Sequence, residues 1–248
     1  MGTTVGGFHP VEEIILKTGF LPGDKIYISR TAGNRIQHLL QKAKKASVDV
    51  VTCDPEKLTR LFGSDRHQGI VLERFEEIKI PELTDDDIEK GGVFVVLESV
   101  QDPGNLGAIA RSIAAFGASG IIISKHDSAP LGTSAMKSSA GAIVNIPVMH
   151  TGSLIASFLQ SYKDDLDACI IGTVLDGEPM TSQAVTGILN QYKKIFLVFG
   201  SEQNGISRLV RERCHHLLTI PQKNTVQSLN VAQSATVFLY EFCSKTRD

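Results

Sequence analysis

The 248-residue sequence predicts an α/β protein with an open, mostly parallel sheet that follows a smaller α/β unit. Helical and β-rich segments alternate along nearly the whole chain, as they do in α/β folds. From Val93 onwards the predicted strands are continuous apolar runs, which are typical of parallel strands covered on both faces. Hydrophobic residues make up 42% of the chain and charged residues 21%, the balance of a globular protein with a large core.

The first predicted unit covers residues 1–78. The segment HPVEEIILKTG predicts its first helix, because Pro10 lies in the first turn and Gly19 ends it. The segment NRIQHLLQKAKKA predicts an amphipathic helix. Its apolar side carries Ile36, Leu39, Leu40 and Ala43. Predicted strands KIYIS, DVVTC and GIVLERF, with the short helix EKLTRLF, complete the unit.

Residues 79–92, KIPELTDDDIEKGG, differ in composition from the segments on either side. They are acidic, contain a proline and end in two glycines, as linkers often do. We predict a linker here, and a surface loop and helix inside a single domain is the alternative.

The second predicted unit covers residues 93–248. Its strands are VFVVLE, GIIIS, CIIGTVL, KIFLVFG and HLLTIP, and its helices include LGAIARSIAAFG, SRLVRERC and SLNVAQSATVFLYEFCSK. Ligand sites of open α/β sheets collect at the carboxyl ends of the strands. The rule directs attention to four strand-exit loops: ESVQDPGNLG, TVLDGEP, GSEQNG and PQKNTVQSLN.

The first of these loops lacks a phosphate-binding fingerprint. It reads PGNLGAIAR instead of G-x-G-x-x-G, and G-x-x-x-x-G-K-[ST] is absent from the whole sequence. This absence argues against the common dinucleotide and nucleoside-triphosphate sites, so a nicotinamide-dependent dehydrogenase is a distant alternative.

The composition also indicates in which cellular compartment the protein is expected and whether it is expected to bind a metal. None of the four cysteines forms a C-x-x-C pair, which favours reduced thiols, and His215–His216 lacks further ligands at known metal-site spacing. No signal peptide and no uninterrupted apolar run of about 18 residues is visible. We therefore predict a cytoplasmic protein with neither a membrane nor a metal partner. A net charge of −2 leaves nucleic-acid binding open, because a local basic patch is enough for it.

The strand-exit loops carry four polar residues of interest. Asp102 or Asn105 can cap the helix that follows, so capping explains Asn105, and a solvated Asn-Gly turn explains Glu202. Ser228 is a natural N-cap, which places Asn230 inside the last helix, where its propensity is poor.

Arg111 lies on an almost wholly apolar helix, which predicts that most of this helix is buried. Its guanidinium then needs an anion, a carboxylate or a route to solvent, and both a structural salt bridge and a phosphate contact remain open.

In combination these segments point to a family. The ordered set NLGAIAR, KSSAGA, FGSEQNGIS and IP-x6-SLNVA resembles the signature motifs of the SpoU-type RNA ribose 2′-O-methyltransferases of the SPOUT superfamily. The stretch HQGIVL and the opening GFHPVE are similar to the small ribosomal-protein L30e-like RNA-binding domain of that family. The resemblance covers nearly the whole chain.

The resemblance implies a function and a finer fold. It implies methylation of a guanosine ribose 2′-hydroxyl in 23S ribosomal RNA, with S-adenosylmethionine as the methyl donor. It also implies a homodimer with active sites at the interface and a trefoil knot in the C-terminal segment of residues 93–248. Methylation of a tRNA ribose and a non-catalytic RNA-binding assembly factor of the same fold are the alternatives.

The resemblance also assigns site residues. The positions that match catalytic ones are Asn105, Arg111, Glu202, Ser228 and Asn230. The positions that match cofactor contacts are Thr173, Gly200, Ile220 and Leu229. The motifs often have Gly, Met and Ser where this chain has Gln203, Gln222 and Ala232.

A basic cluster on and before the second predicted helix is the candidate RNA contact. It contains Arg30, Arg35, His38, Lys42, Lys44 and Lys45. A solvated helix face is the usual explanation of such a run. The family resemblance favours RNA contact, with Arg30, Arg35, Lys42 and Lys45 as the RNA-binding residues.

Overall fold

The computed structural model describes residues 3–76, 78–124, 128–223 and 228–244. The helices are α1 (Phe8–Thr18), α2 (Gln37–Lys45), α3 (Pro55–Phe62), α4 (Asp85–Glu89), α5 (Pro103–Phe116), α6 (Thr133–Ser138), α7 (Ile155–Gln160), α8 (Ser182–Gln191), α9 (Arg208–Arg211) and α10 (Val231–Cys243). The strands are β1 (Thr3–Gly6), β2 (Lys25–Ser29), β3 (Asp49–Cys53), β4 (Ile70–Arg74), β5 (Gly92–Leu97), β6 (Gly120–Ser124), β7 (Val148–Thr151), β8 (Ala168–Pro179), β9 (Lys194–Phe199) and β10 (His216–Thr219). Contacts divide the chain into two units, Met1–Ile80 with Leu131–Asn145, and Pro81–Pro130 with Ile146–Asp248.

The first unit is built on a four-stranded sheet in the order β1-β4-β2-β3. Strands β2 and β3 are parallel, whereas β4 is antiparallel to both β1 and β2. The three helices and three strands expected in residues 8–75 are all present. Leu39 and Ala43 of α2 are buried, as its amphipathic pattern predicts, but Leu40 is only partly covered. Strand β1 was not predicted, since TTVG is short and has little apolar content.

A buried ion pair lies inside the first unit. The guanidinium of Arg74 donates to both carboxylate oxygens of Asp24, at 2.6–3.2 Å, and the two side chains are 1% and 0% exposed. The guanidinium also donates to Thr18 Oγ1 and to the Gly19 carbonyl, at 2.6 and 2.8 Å. Because removal of one partner from such a pair leaves an uncompensated buried charge, this network ties α1 firmly to β4.

The segment 131–145 joins the first unit although the sequence places it far from residues 3–76. Gly141, at φ +89°, lies so close to α1 that a Cβ there would be 2.6 Å from Glu13 Cβ. Asn145 Nδ2 donates to Glu13 Oε2 at 3.1 Å, and Lys137 Nζ lies 5.0 Å from the centre of the Phe62 ring. The KSSAGA motif therefore belongs to the packing of the first unit.

The second unit contains a six-stranded sheet in the order β10-β8-β9-β5-β6-β7, and every neighbouring pair is parallel. The α/β architecture with a mostly parallel sheet is thereby confirmed. All six residues of β9 are buried, as expected for a strand covered on both faces. Phe196 and Val198 pack into a cluster that includes residues of α7 and α9, while Phe199 meets Phe238 of α10 edge to face at 5.8 Å.

Residues 81–91, expected to fall within a linker, belong to the second unit. Glu82 bridges to Val148, and Thr84 and Asp87 form a reciprocal capping box at the start of α4. Ile88 is fully buried in the core of this unit. The segment is thus held by backbone pairing and by one buried side chain.

The boundary between β5 and β9 is the point in the sheet from which the chain adds strands in opposite directions. The chain runs from β5 outward through β6 to β7, then returns on the other side of β5 through β8, β9 and β10. Loops that leave neighbouring strands at such a reversal diverge and open a crevice at the carboxyl ends. Asn105 lies in the first turn of α5, which follows β5, and Glu202 lies in the loop after β9, so the topology places these two residues beside the crevice.

Candidate active site

A cavity of about 360 Å³ lies at the carboxyl ends of β8, β9 and β10. Its volume is within the range of small-molecule sites. Apolar side chains such as Phe199, Leu229 and Phe238 line it together with polar groups. All four positions expected to contact a cofactor line this cavity: Thr173, Gly200, Ile220 and Leu229.

An interruption in the pairing of β8 makes one wall. Leu217 of β10 pairs with Gly172, but the next residue, Leu218, pairs with Glu178. Five residues of β8 therefore bulge away from β10, and four of them line the cavity. Thr173 Oγ1 donates to the Val198 carbonyl at 2.9 Å and anchors the bulge to β9.

The loop after β9 folds back tightly on Gly200. A Cβ at Gly200 would lie 1.9 Å from the Gly205 carbonyl carbon and 2.2 Å from the Ile206 nitrogen. Gly205 itself has φ +63° and donates from its amide to the Ser201 carbonyl at 2.9 Å. Only glycine fits at position 200, because the atoms that it approaches are backbone atoms that no rotamer change can move.

A chain of polar side chains joins three segments beside the cavity. Asn105 Nδ2 donates to Glu202 Oε1, and Asn230 Nδ2 donates to Asn105 Oδ1 at 3.1 Å. The chain links the first turn of α5, the loop after β9 and the start of α10. Three residues far apart in sequence are thus brought into direct contact.

The structure shows which residues cap α5 and α10. Asp102, and not Asn105, caps α5, because its carboxylate accepts from the amides of Gly104 and Asn105. Asn230 does not lie inside α10: it is the N-cap, with its Oδ1 accepting from the Ala232 amide at 2.8 Å. The prediction that Ser228 caps the helix was therefore wrong. The side-chain oxygen of Asn230 accepts from a backbone N–H of α10 that would otherwise be unpaired. The side-chain nitrogen remains available to donate to Asn105.

Arg111 lies apart from the polar chain. It follows Asn105 by six residues on α5, and among the described residues it forms no hydrogen bond or ion pair with any other side chain. It is exposed, as are Ala114 and Ala115, whereas the other residues of α5 are buried or partly buried. The buried side of α5 is Leu106, Ile109, Ala110 and Ile113. A structural salt bridge is thereby excluded within the described residues, and the guanidinium faces solvent.

Sequence reasoning missed an ion pair at the cavity wall. Arg211 Nη1 and Nη2 donate to the two carboxylate oxygens of Asp176, at 3.0 and 2.8 Å, and join α9 to the β8 bulge. These hydrogen bonds lower the pKa of Asp176. No motif marked the pair, because it depends on the bulge, which the apolar run CIIGTV did not reveal.

Two thiols of the second unit are unsuited to nucleophilic chemistry. Burial raises the pKa of both Cys169 and Cys214 to about 12. Each therefore remains a neutral thiol at physiological pH, consistent with the structural role expected from the sequence.

The basic cluster of the first unit is exposed. Arg35, Lys42, Lys44 and Lys45 lie on or beside α2, and Arg30 is 3.6 Å from the Asp54 carboxylate. His38 Nε2 is hydrogen-bonded to Glu12 Oε1 at 2.8 Å. The three lysines form no ion pair with any described residue, and their ammonium groups face solvent.

The part of the chain that the structure describes contains no group of three or more His, Cys, Asp or Glu side chains arranged to hold a metal ion. It also contains no helix with the length and apolar character needed to cross a membrane.

Comparison with known proteins finds a family model for each of two parts of the chain. A model of the SpoU rRNA Methylase family matches residues 92–240, and a model described as RNA 2′-O ribose methyltransferase substrate binding matches residues 4–77. The 23S rRNA (guanosine-2′-O-)-methyltransferase RlmB of Xylella fastidiosa is 35% identical over 218 residues, covering 85% of this chain and 84% of the relative. An uncharacterized tRNA/rRNA methyltransferase of Mycolicibacterium paratuberculosis is 33% identical, covering 98% of this chain and 78% of the relative.

Solved structures share the fold. The SpoU methyltransferase AviRb of Streptomyces viridochromogenes, solved with the cofactor AdoMet, superposes with a TM-score of 0.71 at 22% identity, covering 99% of this chain and 90% of AviRb. An RNA 2′-O ribose methyltransferase superposes with a TM-score of 0.77 at 21% identity, covering 98% and 88% of the two chains.

Proposed function

The chain belongs to the SpoU rRNA Methylase family, and we propose that it methylates a guanosine ribose 2′-hydroxyl in 23S ribosomal RNA, with S-adenosylmethionine as the methyl donor. The observation that carries the proposal is the polar chain Glu202–Asn105–Asn230 beside the 360 Å³ cavity. The cavity has the size of a small-molecule site, Glu202 lines it, and hydrogen bonds connect Asn105 and Asn230 to Glu202. Such adjacency is what a transfer reaction between two bound substrates requires.

The residues of the cavity fit the proposed cofactor. The tight turn at Gly200 forms part of the cavity wall, and Ile220, Leu229 and Phe238 offer apolar contacts for a nucleoside. Gln222, which also lines the cavity, has a buried amide oxygen without a hydrogen-bond partner in the described residues. When bound, S-adenosylmethionine supplies a methyl group on a sulfonium centre, which is transferred to a nucleophilic oxygen.

The polar chain has a positioning role in this proposal. Its hydrogen bonds fix the side chain of Asn105 in one orientation and hold together the loops that border the cavity. Alignment of the attacking oxygen is the main source of acceleration in such a transfer. In this proposal Asn105 fixes Arg111 or the ribose, and Glu202 and Asn230 order the loops and the guanosine.

Arg111 has a binding role. A guanidinium stays protonated at physiological pH, so it is a poor general base and a good phosphate ligand. We propose that it binds the phosphate next to the target ribose and thereby positions the 2′-oxygen. Its exposure and its lack of a partner among the described residues support this role. We further propose a homodimer whose active sites lie at the interface.

The remaining assignments concern the two units. We propose residues 1–78 as the RNA substrate-binding domain with an L30e-like fold, in which Arg30, Arg35, Lys42 and Lys45 contact RNA. Residues 93–248 are proposed as the catalytic domain, joined through residues 79–92, with a trefoil knot in the C-terminal segment. The location is proposed to be cytoplasmic, where ribosomal RNA is modified.

A tRNA ribose is the second candidate substrate, because relatives such as the Mycolicibacterium paratuberculosis protein carry a tRNA/rRNA methyltransferase name. Mapping 2′-O-methyl groups in 23S rRNA and tRNA from cells with and without the gene separates the two candidates. Loss of a single 2′-O-methylguanosine in 23S rRNA is the expected result. Loss of a tRNA methyl group alone would transfer the proposal to tRNA, and no change in either RNA would contradict both.

A further inference from the structure

One carboxylate at the end of β5 lies outside the matched family motifs. Glu98 directly follows β5, and its backbone amide donates to the Phe199 carbonyl of β9 at 2.9 Å. Its side-chain Oε2 accepts from the Ser207 amide at 2.7 Å. The carboxylate therefore connects the end of β5 to the far end of the segment that follows β9.

That segment, residues 200–207, forms the β9 loop, which is held at both ends. Near its start, Ser201 and Gly205 form a backbone bridge that closes the loop on itself. At its end, Ser207 is the N-cap of α9, with its hydroxyl oxygen accepting from an amide of the first turn. The bond from the Ser207 amide to Glu98 ties this end of the loop to β5.

The β9 loop forms a wall of the cavity and carries Glu202. Residues 200–206 all line the cavity, whereas Glu98 is not among the described residues that do so. Glu202 accepts from Asn105, which in turn accepts from Asn230. The position of Glu202 follows that of the loop, so Glu98 influences the polar chain through the loop.

The backbone next to Glu98 is held firmly. Ser99 has φ +58°, in the left-handed region that favours glycine. The next residue, Val100, is buried, and its carbonyl accepts from the Ala129 amide at 2.9 Å. A serine keeps such a conformation only where the surrounding structure imposes it, and such residues cluster at functional sites. Glu98 is thus a fixed anchor for the loop.

We propose that Glu98 is a positioning residue of the methyl-transfer site, whose carboxylate holds the end of the β9 loop and thereby keeps Glu202 within reach of Asn105. This inference rests on the proposed function, because it concerns the alignment of the substrates of methyl transfer. Glu98 acts as a hydrogen-bond acceptor in this role, and its charge takes no part in proton transfer. Glutamine keeps an acceptor oxygen at the same place without the charge, which makes the role testable.

Single-turnover methyl transfer at saturating S-adenosylmethionine and RNA tests the inference, with the RNA that the wild-type chain methylates. Glu98→Ala is expected to lower this rate by roughly tenfold or more, because a displaced loop takes Glu202 away from Asn105 and alignment is lost. Calorimetry is expected to show several-fold weaker binding of S-adenosylhomocysteine, since the same loop lines the cavity. Glu98→Gln is expected to stay within roughly threefold of wild type in both measurements, because it keeps the acceptor.

A control variant removes a carboxylate that has no contact with the loop amide. Glu212 pairs with Arg208 on the exposed side of α9, and Glu212→Ala is expected to keep the wild-type rate and binding. A residue that only stabilised the fold would leave both quantities unchanged in a folded variant. Far-UV circular dichroism verifies that each variant is folded.

The donor side of the bond gives a second, independent test. Ser207→Pro removes the amide at a φ of −65°, which proline adopts, and Ser207→Ala keeps the amide and loses only the hydroxyl. Ser207→Pro is expected to be several-fold slower in methyl transfer than Ser207→Ala. Adding Glu98→Ala to Ser207→Pro is expected to lower the rate no further, because both substitutions remove the same hydrogen bond.

The outcomes separate the inference from the function on which it rests. The role of Glu98 is overturned by a wild-type rate in Glu98→Ala, by Glu98→Gln as impaired as Glu98→Ala, or by additive losses in the double variant. If Glu98→Ala does not fold, equal rates in Ser207→Pro and Ser207→Ala overturn it. All of these results leave the methyltransferase assignment intact. Failure of the wild-type chain to methylate RNA overturns the proposed function, and the inference falls with it.

Discussion

At the scale of single residues, Gly200 is the most constrained position of the cavity. Gly200→Ala places a Cβ 1.9 Å from a backbone carbon, so the loop that contains Glu202 must move. We expect an overpacking cost of about 1–3 kcal/mol in the free energy of unfolding and at least a roughly tenfold weaker binding of S-adenosylhomocysteine. Denaturant unfolding and calorimetry measure the two effects.

Gly187 provides the matched control for this substitution. It lies in α8, and a Cβ there would meet nothing within 4 Å. Gly187→Ala is therefore expected to stabilise the chain by about 0.5–1 kcal/mol and to leave ligand binding unchanged. Equal binding losses in the two variants would refute the steric account of Gly200.

Substitution of Arg111 by lysine tests whether two parallel hydrogen bonds to a phosphate are needed. Lysine keeps the positive charge but lacks the planar pair of donors that matches a phosphate. We expect Arg111→Lys to lower the rate of methyl transfer by roughly a hundredfold, because a displaced 2′-oxygen loses its alignment. Single-turnover transfer with saturating RNA measures it. A rate within a few-fold of wild type would indicate that a point charge suffices.

At the scale of elements, the start of α10 combines a structural and a positioning role in one residue. Asn230 caps the helix and also donates to Asn105. Asn230→Ala should therefore cost about 1 kcal/mol of stability, as the loss of an N-cap does, and should lower methyl transfer as well.

A control substitution at Thr181 separates the capping role of Asn230 from its positioning role. It caps α8 through an equivalent bond from the Ala184 amide at 3.2 Å, outside the cavity. Thr181→Ala is expected to cost a similar free energy of unfolding without loss of methyl transfer. Asn230→Ala activity as high as that of Thr181→Ala would contradict the positioning role.

The helices and strands also show which structural features sequence patterns can predict. Continuous apolar runs located β5, β6, β8, β9 and β10, because strands covered on both faces leave a strong one-dimensional signal. The bulge in β8 and the turn at Gly200 left no such signal, since both depend on which backbone atoms of distant segments approach each other. The same holds for the placement of residues 131–145 on α1.

The candidate site was predicted unevenly for the same reason. The motif order identified Asn105, Glu202 and Asn230, but their direct contact follows from the strand order of the sheet. The cap assignment failed because Ser228 and Asn230 are both good N-caps, and the choice between them depends on where α10 begins. The partner-free oxygen of Gln222 could be found only once the side chains that surround it were known.

At the scale of the whole molecule, the net charge of −2 hides a local basic surface on α2. Lys42→Glu combined with Lys45→Glu is expected to weaken RNA binding and to flatten the dependence of log Kd on log salt. The slope should fall by about one for each phosphate that the protein no longer neutralises. Binding measured over a range of salt concentrations gives the slope.

A control for overall charge uses the second unit. Lys90→Glu combined with Lys193→Glu makes the same change in net charge at exposed lysines. This variant is expected to retain the wild-type slope. If both pairs changed the slope equally, the effect would be one of net charge, and α2 would not be the RNA contact.

The central claim is that this chain methylates a ribose 2′-oxygen in 23S rRNA from S-adenosylmethionine. The most direct measurement incubates the purified chain with S-adenosylmethionine carrying a labelled methyl group and with 23S rRNA from cells that lack the gene, then locates the label by its resistance to alkaline hydrolysis. We expect label on the 2′-oxygen of one guanosine, and none with tRNA. Label on a base, or no label in RNA when S-adenosylhomocysteine binds, would contradict the account.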